Sequence, residues 1–282
     1  VTQHDVVGRQ VMAQIPPGAS VSAQSMLVPH LSERPLVYQF PSGVEHADYI
    51  LLDAASGSFY PFASPADYLS ATRTLLASCA FDLLAARDGY LLLRRTGAFP
   101  SFTRADNACP RTLPPTFYSF IYAAPPPGAT RTAIVFDNEI ELVGYTLDPP
   151  TVHLDQPELT ITTYWRALRP LPAPLTLVVT VRHPDGVSIS LEDASAQIWR
   201  PAQGWETGAV VKLQSWPIYF DADEKGTVRI GAEVRAGNPA DAPGADAVLS
   251  VTALAAITGL PPQTPRTING NTDATLALPR VQ

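Results

Sequence analysis

The spacing of apolar residues changes its period once along the chain. Up to about residue 96 helical and strand-like stretches alternate; from Ala133 onward the apolar spacing within the strand-like segments has a period of two. Between Asp5 and Ile15, Val7, Val11 and Ile15 form one helical stripe, which Pro16-Pro17-Gly18 ends. Short strands are predicted over Ala19–Gln24, Leu36–Phe40 and Tyr49–Ala54, with a helical turn over Met26–His30. The unbroken apolar run of the third strand suits burial on both faces. A helix then begins after Ser64, a natural cap, with Pro65 in its first turn and Asp67 at its positive end. Leu69, Thr72, Leu76 and Cys79 mark one face of it. Phe81–Ala86 and Tyr90–Arg94 flank Arg87-Asp88-Gly89, and Asp-Gly between apolar runs signals a hairpin. Residues 1–96 are therefore expected to form a small α/β domain, Rossmann-like, with a partly parallel sheet.

Residues 97–131 read as a Pro-rich linker, with Pro125-Pro126-Pro127-Gly128 near its end and a strand-like stretch at Thr116–Ala123. Beyond it the alternation is regular, as in Leu175, Leu177, Val179 and Val181, or Val228, Ile230, Ala232 and Val234. Further strands are predicted over Ile134–Phe136, Ile140–Leu147, Leu159–Trp165, Val210–Trp216 and Val248–Ile257, without a convincing helix. Many short strands separated by turns predict an antiparallel, jelly-roll-like β-sandwich over residues 132–259. The Pro-, Thr- and Asn-rich residues 260–282 read as an extended or disordered tail. The fold class is thus α+β and multidomain.

Composition narrows the function. A hydrophobic content of 46% across 282 residues supports packed cores. The net charge of −7, with no basic stripe, excludes a nucleic-acid partner. The most apolar stretch, Val248–Leu260, is too short to span a membrane and carries Ser250, Thr252 and Thr258, so it reads as a strand. The sequence opens on Val1, inside a helical pattern and without a signal peptide, so it is expected to be part of a longer protein.

Catalytic chemistry is not expected from this chain. There is no G-x-S-x-G nucleophile motif, and the five histidines (His4, His30, His46, His153 and His183) have no zinc-binding spacing, so they are assigned to turns and surfaces. Ile15–Ser20 leads into a strand and cannot present a helix start to a phosphate. Asp221–Gly226 resembles a calcium loop but has Lys225 at a ligand position, and reads as an acidic turn. Glu192 and Asp193 point to opposite faces of a strand and cannot flank one glycosidic bond. No metal and no cofactor is expected.

Two candidates remain. Trp199, Trp205 and Trp216 lie in one segment; tryptophans of a sandwich are more often buried in its core, but exposed rings can stack on the C–H face of a sugar. Cys79 and Cys109 are either a buried thiol and an incidental one, or a disulfide joining the first domain to its linker.

Several stretches carry a family likeness: Ile15-Pro16-Pro17-Gly18-Ala19-Ser20-Val21, Pro29-His30-Leu31-Ser32, Arg34, Asp48-Tyr49-Ile50-Leu51-Leu52-Asp53 and Asp88-Gly89-Tyr90. Their order resembles the soluble C-terminal region of a family of predicted bacterial multi-span membrane proteins of unknown function. That family is itself similar to polyprenyl-phosphate-sugar-dependent glycosyltransferases of GT-C architecture. Leu159–Trp165, Pro184-Asp185-Gly186 and Trp205-Glu206-Thr207-Gly208 are similar to sandwich domains appended to such proteins. The resemblance implies a soluble domain at the extracytoplasmic face of the membrane, attached to a membrane-embedded region beyond this sequence. It implies a non-catalytic accessory module of a glycosyltransferase-like protein, with a glycan as a possible partner. The alternative is a structural or protein-interaction module in cell-envelope assembly.

Overall fold

The change of period coincides with a change of architecture. The computed structural model describes residues 2–96, 109, 111–150, 158–183, 188–192, 194–215, 217–219, 227–237 and 247–258. The chain divides into two compact units, Val1–Ile121 and Tyr122–Gln282. The tail from residue 260, Trp216 and the acidic loop 221–226 lie outside the described residues.

In the first unit, helix α1 (Gln3–Met12) opens with a reciprocal cap in which Thr2 and Asp5 satisfy each other's backbone N–H. Strands β1 (Val21–Ala23), β2 (Val37–Gln39) and β3 (Tyr49–Asp53) follow, with a 3-10 helix at Ser25–Leu31 between β1 and β2. Helix α2 (Pro65–Ala77) is capped by Ser64, whose Oγ accepts from the Asp67 N–H at 3.2 Å. Strands β4 (Phe81–Arg87) and β5 (Tyr90–Arg95) turn at Asp88 and Gly89, both at positive φ (49° and 84°), as a tight two-residue hairpin turn requires.

The five strands form one mixed sheet in the order β2-β1-β3-β5-β4. β1 pairs in parallel with both β2 and β3, while β5 runs antiparallel to both of its neighbours. Val7, Val11 and Ile15 pack on Val21, Ala23, Leu51 and Leu92 on one face. Ile50, Leu52, Leu91 and Leu93, which point the other way, are fully buried too, so the sheet is covered on both sides.

The expected strand at Thr116–Ala123 is instead a 3-10 helix, Pro115–Phe120, and it belongs to the first unit. Pro114 and Pro115 bring no N–H to a ladder and start a helical turn readily. Part of the stretch read as a linker is therefore built into the first unit.

The second unit is antiparallel throughout. One sheet has the order β11-β8-β7-β6, with β6 (Thr130–Phe136), β7 (Ile140–Asp148), β8 (Glu158–Ala167) and β11 (Val210–Gln214); the short β12 (Ile218–Tyr219) also pairs with β8. The other is β10-β9-β13-β14, with β9 (Leu175–Arg182), β10 (Ser188–Glu192), β13 (Thr227–Ala236) and β14 (Ala247–Thr258). The sheets face each other where Thr163, Leu213 and Ser215 meet Leu177 and Val179 around a cavity of about 10 Å³, room for one water and no larger ligand. One short helix, α3 (Ala194–Trp199), was not foreshadowed by the alternation.

Candidate functional site

In an open sheet with parallel strands, ligands bind beyond the carboxyl ends of the strands, where successive connections leave in opposite directions. Here that point lies between β1 and β3, since β2 and β3 flank β1 on either side. The residue that follows β1 is Gln24, only 2% exposed. Its Nε2 donates to Ser56 Oγ (2.8 Å) and to the Ser58 carbonyl (2.6 Å). Its Oε1 accepts from the Asp53 N–H (2.8 Å) and from the Tyr68 hydroxyl (3.1 Å). Four bonds saturate the amide. Tyr68 itself sits among Phe40, Phe59 and Phe62, and burial, aided by the Asp53 charge, raises its pKa, so it stays a protonated donor. The crevice is thus filled by the chain's own side chains.

Beside it lies a polar cluster from three distant parts of the sequence. His4, in the first turn of α1, places Nε2 3.1 Å from Asp53 Oδ2 and Nδ1 2.9 Å from Asp88 Oδ2. Its ring stacks on Tyr90 with centroids 4.4 Å apart. Asp53 also accepts from the Ala55 N–H, and Asp88 from the Ser119 hydroxyl. Burial disfavours the charged imidazole, but the hydrogen bonds and charges of Asp53 and Asp88 outweigh it and raise the His4 pKa to about 9. At neutral pH the ring is a cation with both nitrogens occupied by carboxylates. It cannot act as a general base there, and it ties α1 to the end of β3 and to the hairpin turn.

The strap Cys109–Ile121 completes this edge. The Asp88 and Gly89 N–H groups donate to the Thr116 and Phe117 carbonyls, each at 2.8 Å, and Phe117 is fully buried. Space at the turn is tight: a Cβ on Gly89 would lie 3.1 Å from the Ala55 backbone nitrogen and 3.2 Å from the Phe120 ring. At its other end the strap caps α2. The Cys109 N–H donates to the Ala77 carbonyl (2.6 Å), and the Arg111 guanidinium donates to the carbonyls of Leu76, Ser78 and Phe81. The Leu76, Ala77 and Ser78 carbonyls are among those that a helix end leaves without partners, while the Phe81 carbonyl opens β4. Cys79 and Cys109 form a disulfide with Cα atoms 5.1 Å apart.

The tryptophans proposed for sugar stacking lie elsewhere. Trp199 and Trp205 are only 9% and 6% exposed, so neither offers a free ring face. The reason is their place in the sandwich: the segment Ala194–Trp205 packs against β11 of one sheet and β9 of the other. Trp205 Nε1 donates to the Arg200 carbonyl at 2.8 Å. Gln197 exchanges two hydrogen bonds with the Leu177 backbone (2.7 and 2.8 Å), continuing along β9 the ladder that β10 ends at Glu192↔Val178. The geometry of Trp216 lies outside the described residues.

Sequence reasoning assigned His4 to a turn or the surface and passed over Gln24, Asp53 and Asp88 as site residues. The only local signals were a buried strand ending in Asp53 and the Asp-Gly turn; the partners of His4 are 49 and 84 residues away. Among the described residues no group of three or more His, Cys, Asp or Glu side chains is placed to hold a metal ion, and no helix is long and apolar enough to cross a membrane.

Comparison with known proteins finds a partial similarity in sequence and another in fold. No curated protein matches the chain in sequence. Among solved structures, the C-terminal domain of wzt is similar to 51% of the chain and 91% of its own length, at 13% identity and a TM-score of 0.27. Residues 1–92, about a third of the chain, match the model of a family described as "Predicted membrane protein (DUF2079)".

Proposed function

We propose that this chain is a non-catalytic, extracytoplasmic module of a membrane protein, and that its host is glycosyltransferase-like. The observation that carries the reading is the Cys79–Cys109 disulfide. Such bonds persist in oxidising compartments outside the cytoplasm. The family match over residues 1–92 supports a membrane-protein host, and the Ile15–Val21 and Asp48–Asp53 stretches support the glycosyltransferase likeness. The filled crevice and the doubly occupied His4 ring support an accessory role over a reacting one. A second reading is favoured by the burial of Trp199 and Trp205: with neither of these two rings offering a free face to a sugar, the module serves as a protein-interaction platform.

The test uses intact cells making the full-length protein, a membrane-impermeant maleimide and a membrane-impermeant phosphine reductant. Labelling of Cys79 and Cys109 only after the phosphine is the expected result. Labelling that needs cell lysis and no reductant would place reduced thiols in the cytoplasm and overturn the proposal.

A further inference from the structure

The disulfide and the closed edge of the sheet are joined by one short segment. Cys79 lies exposed just past the end of α2, and Cys109 is half-buried. From Cys109 the strap runs through Arg111, moored on three carbonyls, to Pro115–Phe120. There it receives the Asp88 and Gly89 N–H groups and places Ser119 Oγ 3.2 Å from Asp88 Oδ1. The same carboxylate holds His4. A bond open to solvent at one end of the strap is therefore mechanically connected to the polar cluster at the other.

We infer that the Cys79–Cys109 bond is a redox latch: its reduction by a dithiol oxidoreductase loosens the Cys109–Ile121 strap and uncovers the Asp88–Gly89 turn at the carboxyl edge of the sheet. The chemistry is thiol–disulfide exchange. A thiolate of the reductant attacks Sγ of the exposed Cys79, a mixed disulfide forms, and Cys109 leaves as a thiolate. The reductant's second thiol then displaces Cys79 and the reductant departs as its own disulfide. Two electrons have passed to the chain, whose thiolates take protons from water. Closure is reversible, because Phe117 keeps an apolar seat to return to and reoxidation restores the tether. When the strap lifts, Asp88 loses the Ser119 hydrogen bond and two turn N–H groups lose their acceptors. The edge that opens presents N–H donors beside the acidic and cationic groups of the cluster.

Amide hydrogen exchange on the whole 282-residue chain tests this, comparing the oxidised protein, the protein held in dithiothreitol, and the Cys79→Ser/Cys109→Ser variant. The quantity read is the protection of Asp88 and Gly89 relative to the amides of β3 and β5. The expected result is a fall in that ratio of tenfold or more in both thiol forms, reversed when the wild-type protein is reoxidised. A fall at the turn no larger than the fall at the sheet centre would mean that the bond acts only on the stability of the unit as a whole, and would overturn the latch. So would an unchanged ratio, or a bond that dithiothreitol cannot reach in the folded protein. Because wild-type protein is reduced in place, a variant that fails to fold does not blunt the test.

Discussion

The two units of the chain close their structures by different means. The first relies on a few polar side chains that reach across long sequence separations to specific backbone or carboxylate atoms. Gln24 fills the crevice, His4 bridges two aspartates, Arg111 caps α2, and the Arg95 guanidinium donates to the carbonyls of Ala47 and Val44. The second unit relies on apolar alternation, with one inserted segment whose Trp199 and Trp205 are buried alongside β9 and β11. The contrast teaches where each unit is sensitive. Polar clamps answer to proton and electron balance, whereas an apolar core answers to volume.

The largest expected effect is in the second unit. Trp165 is 1% exposed, tilts against Phe136 at 5.6 Å, and donates from Nε1 to Thr163 Oγ1. Trp165→Ala should cost about 3–5 kcal/mol. Denaturant unfolding followed by NMR should show that loss in the second unit only; a matching loss in the first would dissolve the distinction. Next comes the disulfide. Replacing both cysteines by serine should cost the first unit about 3–4 kcal/mol in the chain-entropy model, leaving the second unit's midpoint unchanged.

A smaller loss is expected at the crevice. Gln24→Met keeps the volume but leaves the buried Asp53 N–H without its acceptor and takes the Gln24 bond from the Tyr68 hydroxyl, at a cost of about 2–3 kcal/mol. A neutral outcome in thermal unfolding would show that the crevice tolerates a different filling. The smallest effect is the pH response of the first unit. His4 has a folded pKa of about 9, above the 6.5 of a free imidazole. Its contribution is therefore fully present below pH 6.5 and is lost as pH rises through 9. Allowing for partial solvent screening, the loss should be on the order of 1–2 kcal/mol. His4→Gln should flatten the stability profile across that window while the second unit stays level.

Much of the frame was legible because it is local. Ser64-Pro65-Asp67 announces the start of α2, Asp88-Gly89 announces the hairpin, and the alternation in Leu175–Val181 and Val228–Val234 announces strands. All of these signals lie within a few residues of the structure they produce. The site was not legible, because its geometry is long-range. Nothing near His4 indicates that residues 53 and 88 will converge on it, and Gln24 looks like any polar residue at a strand end. The tryptophan segment left core and surface both open for a related reason. A ring's chemistry is the same in a core and on a surface, and only the packing of Ala194–Trp205 on β9 and β11 buries it. The strap was misread because Thr116–Ala123 has strand-like composition, while Pro114 and Pro115 just before it decide the backbone.

The central claim is that the charged groups at the carboxyl edge hold the fold together and do not react. Titration of the His4 imidazole by nitrogen-15 NMR measures this most directly, because the ring's charge state decides whether it can take a proton at neutral pH. The clamp predicts a doubly protonated ring at pH 7 with a midpoint near 9. A midpoint at or below 6.5, the value of a free imidazole, would leave the ring neutral and available as a base, and would contradict the account.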